Sequence, residues 1–269
     1  MVGVRDSGAA SSAEVLRIAH LFPGAMGLYG DQGNVLALRR RCEWRSIPVE
    51  VVEVQSGDDF APADWDVVFL GGGADRDQEA VAAELAGMRA GALAEAVDDG
   101  LAMLAVCGGY QFLGQSYRTA DGSLLDGLGV LPVRTENGPG RLVGPIEVEA
   151  ASEYGGILVG FENHGGRTTI LEGGEPLGVV LRGYGNNGED RTEGCRLKNC
   201  FGTYLHGPVL PQNPGLADAL IRAALERREG SATVELAPLD DRLELDARTV
   251  AANQDSRKKS LLGRLGLDF

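Results

Sequence analysis

Short apolar runs alternate with helical stretches over the first hundred residues of the chain. Two of these runs, VVFL and LAMLAV, are apolar at every position, which is typical of parallel strands buried on both faces of a sheet. The predicted strands lie in VLRIAHLF from Val15, VEVVEV (49–54), DWDVVFLGGG (64–73) and LAMLAV (101–106).

Two segments between these strands have helical character. In NVLALRRRCEWR, the apolar residues have helical spacing and the arginines lie opposite, as in an amphipathic helix; the apolar residues are Val35, Leu36, Leu38 and Cys42. The alanine-rich segment 77–100 suits one or two helices that end at Gly100. The order strand, helix, strand, strand, helix, strand predicts an α/β fold with an open, mainly parallel central sheet flanked by helices.

The pattern changes after residue 126. Short β-like pieces separated by glycine turns predict added short strands that extend the same sheet in antiparallel or mixed fashion. A strand-like stretch at 199–207 ends in a histidine, and 215–228 reads as an amphipathic helix. We interpret residues 1–13 as a flexible leader, 14–230 as one domain and 231–269 as a charged, partly helical tail.

Composition excludes several classes of protein. With 25 basic and 39 acidic residues, the net charge of −14 argues against a nucleic-acid coat, which needs a basic face. Four cysteines in 269 residues are too few for a disulfide scaffold. No apolar run suits a signal peptide or reaches the ~18 residues of a membrane span. We therefore expect a soluble, cytoplasmic protein with reduced thiols.

The strongest chemical signal is in LAMLAVCGGYQFLG (101–114). A buried strand leads directly to Cys107 and a Gly–Gly pair, and a helix is predicted from about Tyr110. This pattern predicts a nucleophile elbow, a strained strand-to-helix turn that needs small neighbours such as Ala105 and Gly109. The helix N-terminus would favour the reactive thiolate. The alternative is a small buried hydrophobic residue at a strand end.

A cysteine nucleophile needs a base, and the chain has three histidines. His206 is preferred because it follows a strand, and sites in α/β sheets form at the carboxyl ends of strands. His164, in a polar turn, is the second candidate, and His20 lies within the first predicted strand. Cys195 and Cys200 lack the paired spacing of a zinc site, so we predict no metal.

A glycine cluster, FLGGGADRD (69–76), follows another predicted central strand. Backbone N–H groups in such a loop can bind an oxyanion, although a simple tight turn would have the same composition. The sequence contains no phosphate-binding G-x-x-x-x-G-K-[ST] motif and no G-x-G-x-x-G after the first strand. We therefore expect no nucleotide cofactor in this chain.

Six motifs together resemble the class I, triad-type glutamine amidotransferases, and within them the cobyric-acid-synthase-like branch. They are HLFPGAMGLYGDQGN, LGGGADRDQ, CGGYQFLG, ENGPGRLVG, GFENHGGRT and GTYLHGPVLPQNP, and they extend from about residue 15 to about residue 228. Most narrowly, they resemble the glutaminase subunits of lipid II isoglutaminyl synthases. Such subunits pair with a MurT-like subunit of the Mur ligase family in peptidoglycan synthesis.

The resemblance implies a flavodoxin-like amidotransferase domain over 14–230 and a role for each matching position. Cys107 would attack L-glutamine to form a thioester, His206 would act as its base, and Arg141 would hold the α-carboxylate of the substrate. Ammonia would pass to the partner, which would use ATP and Mg²⁺ to amidate the D-glutamate of lipid II. The other implied site residues are Gln111 in the substrate pocket and Gly72, Gly73 and Gly108 at the oxyanion.

The sequence departs from the family pattern at two positions. Ala105 replaces the usual glycine before the nucleophile, and Pro208 stands where the usual His-x-Glu has its acid. Glu136 and Glu162 have no spacing that would make either one the missing acid. We therefore expect a partner carboxylate beside His206, which should be exposed in the isolated chain. The alternatives are a glutaminase for cobyrinate-type amidation and a catalytically silent scaffolding subunit.

Overall fold

The computed structural model describes residues 15–27, 30–73, 90–119, 121–230 and 233–249, in which two β-sheets are flanked by helices. The strands are β1 Leu16–Leu21, β2 Val49–Val54, β3 Val67–Leu70, β4 Ala102–Val106, β5 Ser116–Arg118, β6 Leu124–Asp126, β7 Val133–Ala150, β8 Ile157–Ile170, β9 Gly178–Arg182, β10 Thr192–Glu193, β11 Cys195–Leu197 and β12 Cys200–Thr203. The helices are α1 Gln32–Glu43, α2 Ala90–Asp98, α3 Gly108–Leu113, α4 Val209–Gln212, α5 Pro214–Glu229 and α6 at 242–249.

The first sheet has the strand order β11-β12-β4-β3-β1-β2, and every neighbouring pair except β11 with β12 is parallel. Both all-apolar runs, VVFL in β3 and AMLAV in β4, are buried at every position. Burial on both faces is the reason why these runs do not alternate with polar residues. The predicted α/β fold with an open, mainly parallel central sheet is confirmed.

The prediction that later strands extend the central sheet is wrong, because most of them form a second sheet of order β10-β9-β7-β5-β6, with β8 paired to β7. The predicted short pieces are largely parts of two long antiparallel strands, β7 with 18 residues and β8 with 14. The glycines of ENGPGRLVG lie within β7, where the pairing register shifts between Asn137 and Leu142. A β-bulge takes up these residues without reversing the chain.

The two sheets meet at His206, three residues after β12. Its backbone N–H donates to the carbonyl of Phe161 in β8 (2.8 Å), and its carbonyl accepts from the N–H of Phe161 (3.0 Å). This two-bond bridge fixes the segment after β12 against the hairpin of β7 and β8.

A buried ion-pair network joins α1, α5 and the segment before α6. Asp218 in α5 binds Arg41 at 2.6 Å and Arg45 at 2.7 Å, and Asp241 binds Arg41 at 2.6 Å. Both arginine side chains are at most 4% exposed. The predicted leader 1–13 lies outside the described residues. From the predicted tail, Asp241 binds Arg41 and the carbonyl of Ala237 accepts from Arg45. Within the described ranges, no helix is long and apolar enough to cross a membrane.

We expect Asp218→Ala to lower the free energy of unfolding by about 3–5 kcal/mol, because it removes the carboxylate shared by two buried guanidinium groups. Urea denaturation followed by circular dichroism measures this loss. Glu43→Ala is the matched control, since Glu43 pairs with Arg39 and Arg40 on the solvent side of α1. The control should lose about 1 kcal/mol or less. Equal losses in the two variants would contradict a stabilising role for the buried network.

Candidate active site

Cys107 lies between β4 and α3 with a strained backbone, at φ 51° and ψ −105°. A positive φ is uncommon for a residue with a side chain and is typical of a nucleophile elbow. The N–H of Cys107 donates to the carbonyl of Thr203 in β12 (2.9 Å), which holds the turn against the neighbouring strand. Helix α3 begins at Gly108, two residues before the predicted start at Tyr110.

Three chain segments converge at Cys107, each following a parallel strand of the central sheet. A Cβ atom added to Gly72, in the loop after β3, would lie 3.2 Å from Cβ of Cys107 and 3.6 Å from Cε1 of His206. The strands β3, β4 and β12 are neighbours, so their carboxyl ends bring these residues to one edge of the sheet. The structure therefore brings together Gly72, Cys107 and His206 of the predicted site.

The peptide group between Gly71 and Gly72 is held at both ends. The carbonyl of Gly71 accepts from the N–H of Gly109 in α3 (3.1 Å), and the N–H of Gly72 donates to Oδ2 of Asp31 (3.0 Å). In this structure the carboxylate of Asp31 therefore takes the N–H of Gly72. The roles of Gly72, Gly73 and Gly108 at the oxyanion stay predictions.

Asp31 is the site residue that the sequence did not reveal. It lies in the motif YGDQGN, which reads as a glycine-rich loop. The side chain is buried, and burial raises the pKa of Asp31 to about 6 while the bond from Gly72 opposes the rise. Asp31 lies at the start of a helix, but its side chain does not cap that helix. The sequence does not show that the side chain is turned to another partner.

His206 is 4% exposed, so the prediction that it is exposed in the isolated chain is wrong. The bridge to Phe161 holds its backbone against strand β8. Burial, with a smaller contribution from the charge of Arg141, lowers the pKa of His206 to about 4. The imidazole is therefore neutral at pH 7, which is the form that can accept a proton.

His164 does not lie in a polar turn as predicted, because GFENHGGRT belongs to strand β8. Its ring stacks on that of Tyr204, with centroids 3.6 Å apart, and its Nδ1 lies 2.8 Å from the carbonyl oxygen of Gly166. Burial lowers the pKa of His164 to about 4. His20 lies within β1 as predicted and packs against Phe69.

The two predicted substrate-binding residues belong to different elements, Arg141 to β7 and Gln111 to α3. Arg141 is exposed on β7, and Asn163 accepts from its Nε at 2.8 Å and from its Nη2 at 2.7 Å. Its charge lowers the pKa of both His206 and His164, so the guanidinium lies within electrostatic reach of both rings. Gln111 is buried in α3, and its Nε2 donates to the hydroxyl of Tyr204 (3.1 Å).

Two of the acidic residues, Glu162 and Glu193, accept hydrogen bonds from structural partners. Both carboxylate oxygens of Glu162 accept backbone N–H groups, from Tyr184 at 2.8 Å and from Gly185 at 2.9 Å. Glu136 lies opposite Arg167 on the exposed side of the hairpin. Glu193, which the sequence did not single out, is buried beneath β12 and accepts from the hydroxyl of Thr203 (2.6 Å). Burial raises its pKa to about 7.

Comparison with known proteins identifies a family and several similar proteins. Residues 17–214 match the family described as the CobB/CobQ-like glutamine amidotransferase domain. The chain is 44% identical over 244 residues to subunit GatD of the glutamine-hydrolysing lipid II isoglutaminyl synthase of Staphylococcus aureus strain N315, covering 91% of this chain and 98% of that protein. The corresponding subunit of Streptococcus pneumoniae R6 is 40% identical over 216 residues, with coverage of 80% and 82%.

Among solved structures, that of PurLQS from Thermotoga maritima is similar, with a TM-score of 0.54 and 16% sequence identity. The match covers 79% of this chain and 99% of that chain. At this identity the similarity concerns the fold alone, and it agrees with the α/β architecture described above.

The raised pKa of Asp31 predicts how stability depends on pH. Its pKa is about 6 in the folded chain against 3.8 for the ordinary group, so ionisation disfavours the folded state and its effect grows between about pH 4 and 6. Asp31→Asn cannot ionise and should exceed the wild type in unfolding free energy by up to about 3 kcal/mol at pH 8. The two proteins should differ little at pH 4. Urea denaturation at both pH values tests this, and a variant that is less stable at pH 8 would contradict it.

Proposed function

We propose that this chain, which belongs to the family of CobB/CobQ-like glutamine amidotransferase domains, is the glutamine-hydrolysing subunit of a lipid II isoglutaminyl synthase. The observation that carries the proposal is the convergence of the Cys107 elbow with His206. It occurs in a chain that aligns with nearly the whole length of the staphylococcal subunit. Because the nucleophile Cys107 and the base His206 are both present, a working glutaminase is favoured over a catalytically silent scaffolding subunit.

In the proposed reaction, the sulfur of Cys107 attacks the side-chain carboxamide carbon of L-glutamine. Neutral His206 takes the thiol proton and gives it to the departing ammonia, which leaves a glutamyl thioester. His206 then removes a proton from water, which attacks the thioester and releases glutamate and the free thiol. The N–H groups of Gly73 and Gly108 stabilise the oxyanion of both tetrahedral intermediates.

Arg141 binds the α-carboxylate of the substrate in this proposal. Asn163 fixes the guanidinium through Nε and Nη2, so the side chain is oriented before substrate arrives. A guanidinium oriented in this way loses little conformational freedom when it pairs with a carboxylate. Gln111 lines the same pocket from α3, where the hydroxyl of Tyr204 holds its amide.

We further propose that the ammonia goes to a MurT-like partner of the Mur ligase family in the cytoplasm. That partner would activate the α-carboxylate of D-glutamate in lipid II with ATP and Mg²⁺, since this sequence has no phosphate-binding loop. The product would be D-isoglutamine. Cobyrinate-type amidation is the second candidate, and it would require a different acceptor enzyme.

The partner also supplies the acid of the catalytic triad in this proposal. Pro208 occupies the usual position of the acid, and both oxygens of Glu162 are held by backbone groups. A cavity of about 210 Å³ opens beside Gly207 and is lined in part by Arg182 and Arg248. Glu147 also lines this cavity and pairs with Arg182 at 3.6 Å, so Arg248 is the guanidinium that an incoming carboxylate would meet. A carboxylate that orients a catalytic histidine can be worth about 10⁴ in kcat.

We expect Cys107→Ala to reduce glutamine hydrolysis by more than about 10³-fold in the complex with the Mur-ligase-like partner, without unfolding the chain. Glutamate release measures the activity. Cys42→Ala and Cys195→Ala are controls, because burial raises the pKa of each thiol to about 12 and keeps it unreactive. Hydrolysis by Cys107→Ala near the wild-type rate would refute the proposed mechanism. Full activity from the isolated wild-type chain would refute the role given to the partner's carboxylate.

We expect Arg141→Ala to raise KM for glutamine by about ten- to a hundredfold, because it removes a charge-assisted pair worth roughly 1.5–3 kcal/mol. Steady-state kinetics of the complex measure KM and kcat separately. Arg134→Ala is the matched control, since Arg134 is an exposed arginine on the same strand. The control should leave KM within about twofold of the wild type. Unchanged glutamine binding in Arg141→Ala would show that Arg141 is only a surface residue.

A further inference from the structure

The first turn of α1 binds both loops that approach Cys107. Oδ2 of Asp31 accepts from the N–H of Gly72 at 3.0 Å, and Oδ1 of Asn34 accepts from the N–H of Leu210 at 2.9 Å. Residues three apart lie on one face of a helix, so a single surface of α1 contacts both loops. We infer that Asp31 and Asn34 are positioning residues of the glutaminase site, which we call the α1 clamp.

The side chain of Asp31 bonds the glycine loop after β3 and not its own helix. It occupies the N-cap position of α1, yet its side chain makes no capping hydrogen bond there. The carboxylate instead fixes the peptide group between Gly71 and Gly72, whose other end accepts from Gly109 in the elbow. A chain of two hydrogen bonds thus runs from α1 through the glycine loop to α3. This chain fixes the orientation of a peptide group beside Cys107.

The side chain of Asn34 bonds the segment that follows His206. Asn34 is fully buried, and its partner Leu210 lies four residues after the histidine. Pro208, two residues after His206, also packs closely against α1, because a Cβ on Gly33 would lie 2.4 Å from Cγ of Pro208. The segment is therefore fixed on the side of α1 by Asn34 and on the side of β8 by the bridge at Phe161.

The two contacts of the α1 clamp act on the two loops that approach Cys107. A Cβ on Gly72 would lie within 3.6 Å of both Cβ of Cys107 and Cε1 of His206, so a shift of either loop changes the arrangement of thiol and imidazole. Misplacement of reacting groups by about 1 Å can cost about 10² in rate. Because neither side chain is needed to hold the substrate, the α1 clamp should affect kcat more than KM. This inference rests on the proposed glutaminase function.

The test compares Asp31→Ala, Asp31→Asn and Asn34→Ala in the complex with the Mur-ligase-like partner. Asp31→Ala removes the acceptor and should lower kcat about ten- to a hundredfold while KM stays within about threefold of the wild type. Asp31→Asn keeps an acceptor for Gly72 and should restore kcat to within about threefold. Asn34→Ala should lower kcat in the same direction. Asn199→Ala is the matched control, because Asn199 bonds a backbone carbonyl at the opposite end of the sheet.

A second measurement separates this inference from the proposed function. The rate of Cys107 alkylation by iodoacetamide is recorded against pH in the isolated chain. Its pH profile reports the ionisation of the thiol and of the imidazole beside it, in the absence of glutamine. Asp31→Ala should shift this pH profile, and Asp31→Asn and Asn199→Ala should not. If Asp31→Ala alters neither kcat nor the profile, or only lowers the unfolding midpoint as Asn199→Ala does, the α1 clamp is refuted. Loss of glutamine turnover in Cys107→Ala tests the proposed function independently of these outcomes.

Discussion

The left-handed backbone of Cys107 is the constraint on which the rest of the site depends. Holding a residue with a side chain at φ 51° costs of order 1–3 kcal/mol, so the surroundings must enforce it. The strand on each side does so, because Thr203 accepts from the N–H of Cys107 and Gly71 accepts from that of Gly109. The same two strands lead to His206 and to Gly72. The interactions that hold the elbow therefore also position His206 and Gly72 beside the thiol.

Close packing around the elbow explains why glycine occurs there. A Cβ on Gly109 would lie 2.7 Å from the carbonyl oxygens of both Leu70 and Gly71, so no larger residue fits between α3 and the end of β3. The elbow and the glycine loop are consequently in direct backbone contact. This contact allows a carboxylate on α1 to influence the geometry at Cys107 through one peptide group.

Burial sets the protonation states of the site. Desolvation lowers the pKa of His206 and His164 and raises that of Asp31, Glu162 and Glu193, so each group is pushed toward its neutral form. A neutral imidazole beside a thiol can accept a proton, and a carboxylate beside the ring steadies the imidazolium that forms. Burial of the site therefore supplies His206 in the neutral form that the proposed reaction needs.

The sequence by itself determined the features that depend on residues near each other in the chain. The all-apolar runs VVFL and AMLAV indicated a parallel sheet, and a strand ending at Cys107 before two glycines indicated the elbow. Only the tertiary structure decided that β7 and β8 form a second sheet, because a bulge between Asn137 and Leu142 reads locally as a turn. The burial of His206 and the bonds of Asp31 to Gly72 and of Asn34 to Leu210 also needed the structure. These pairs are 41 and 176 residues apart, and no local pattern of side chains encodes which backbone group a distant loop brings to a buried acceptor.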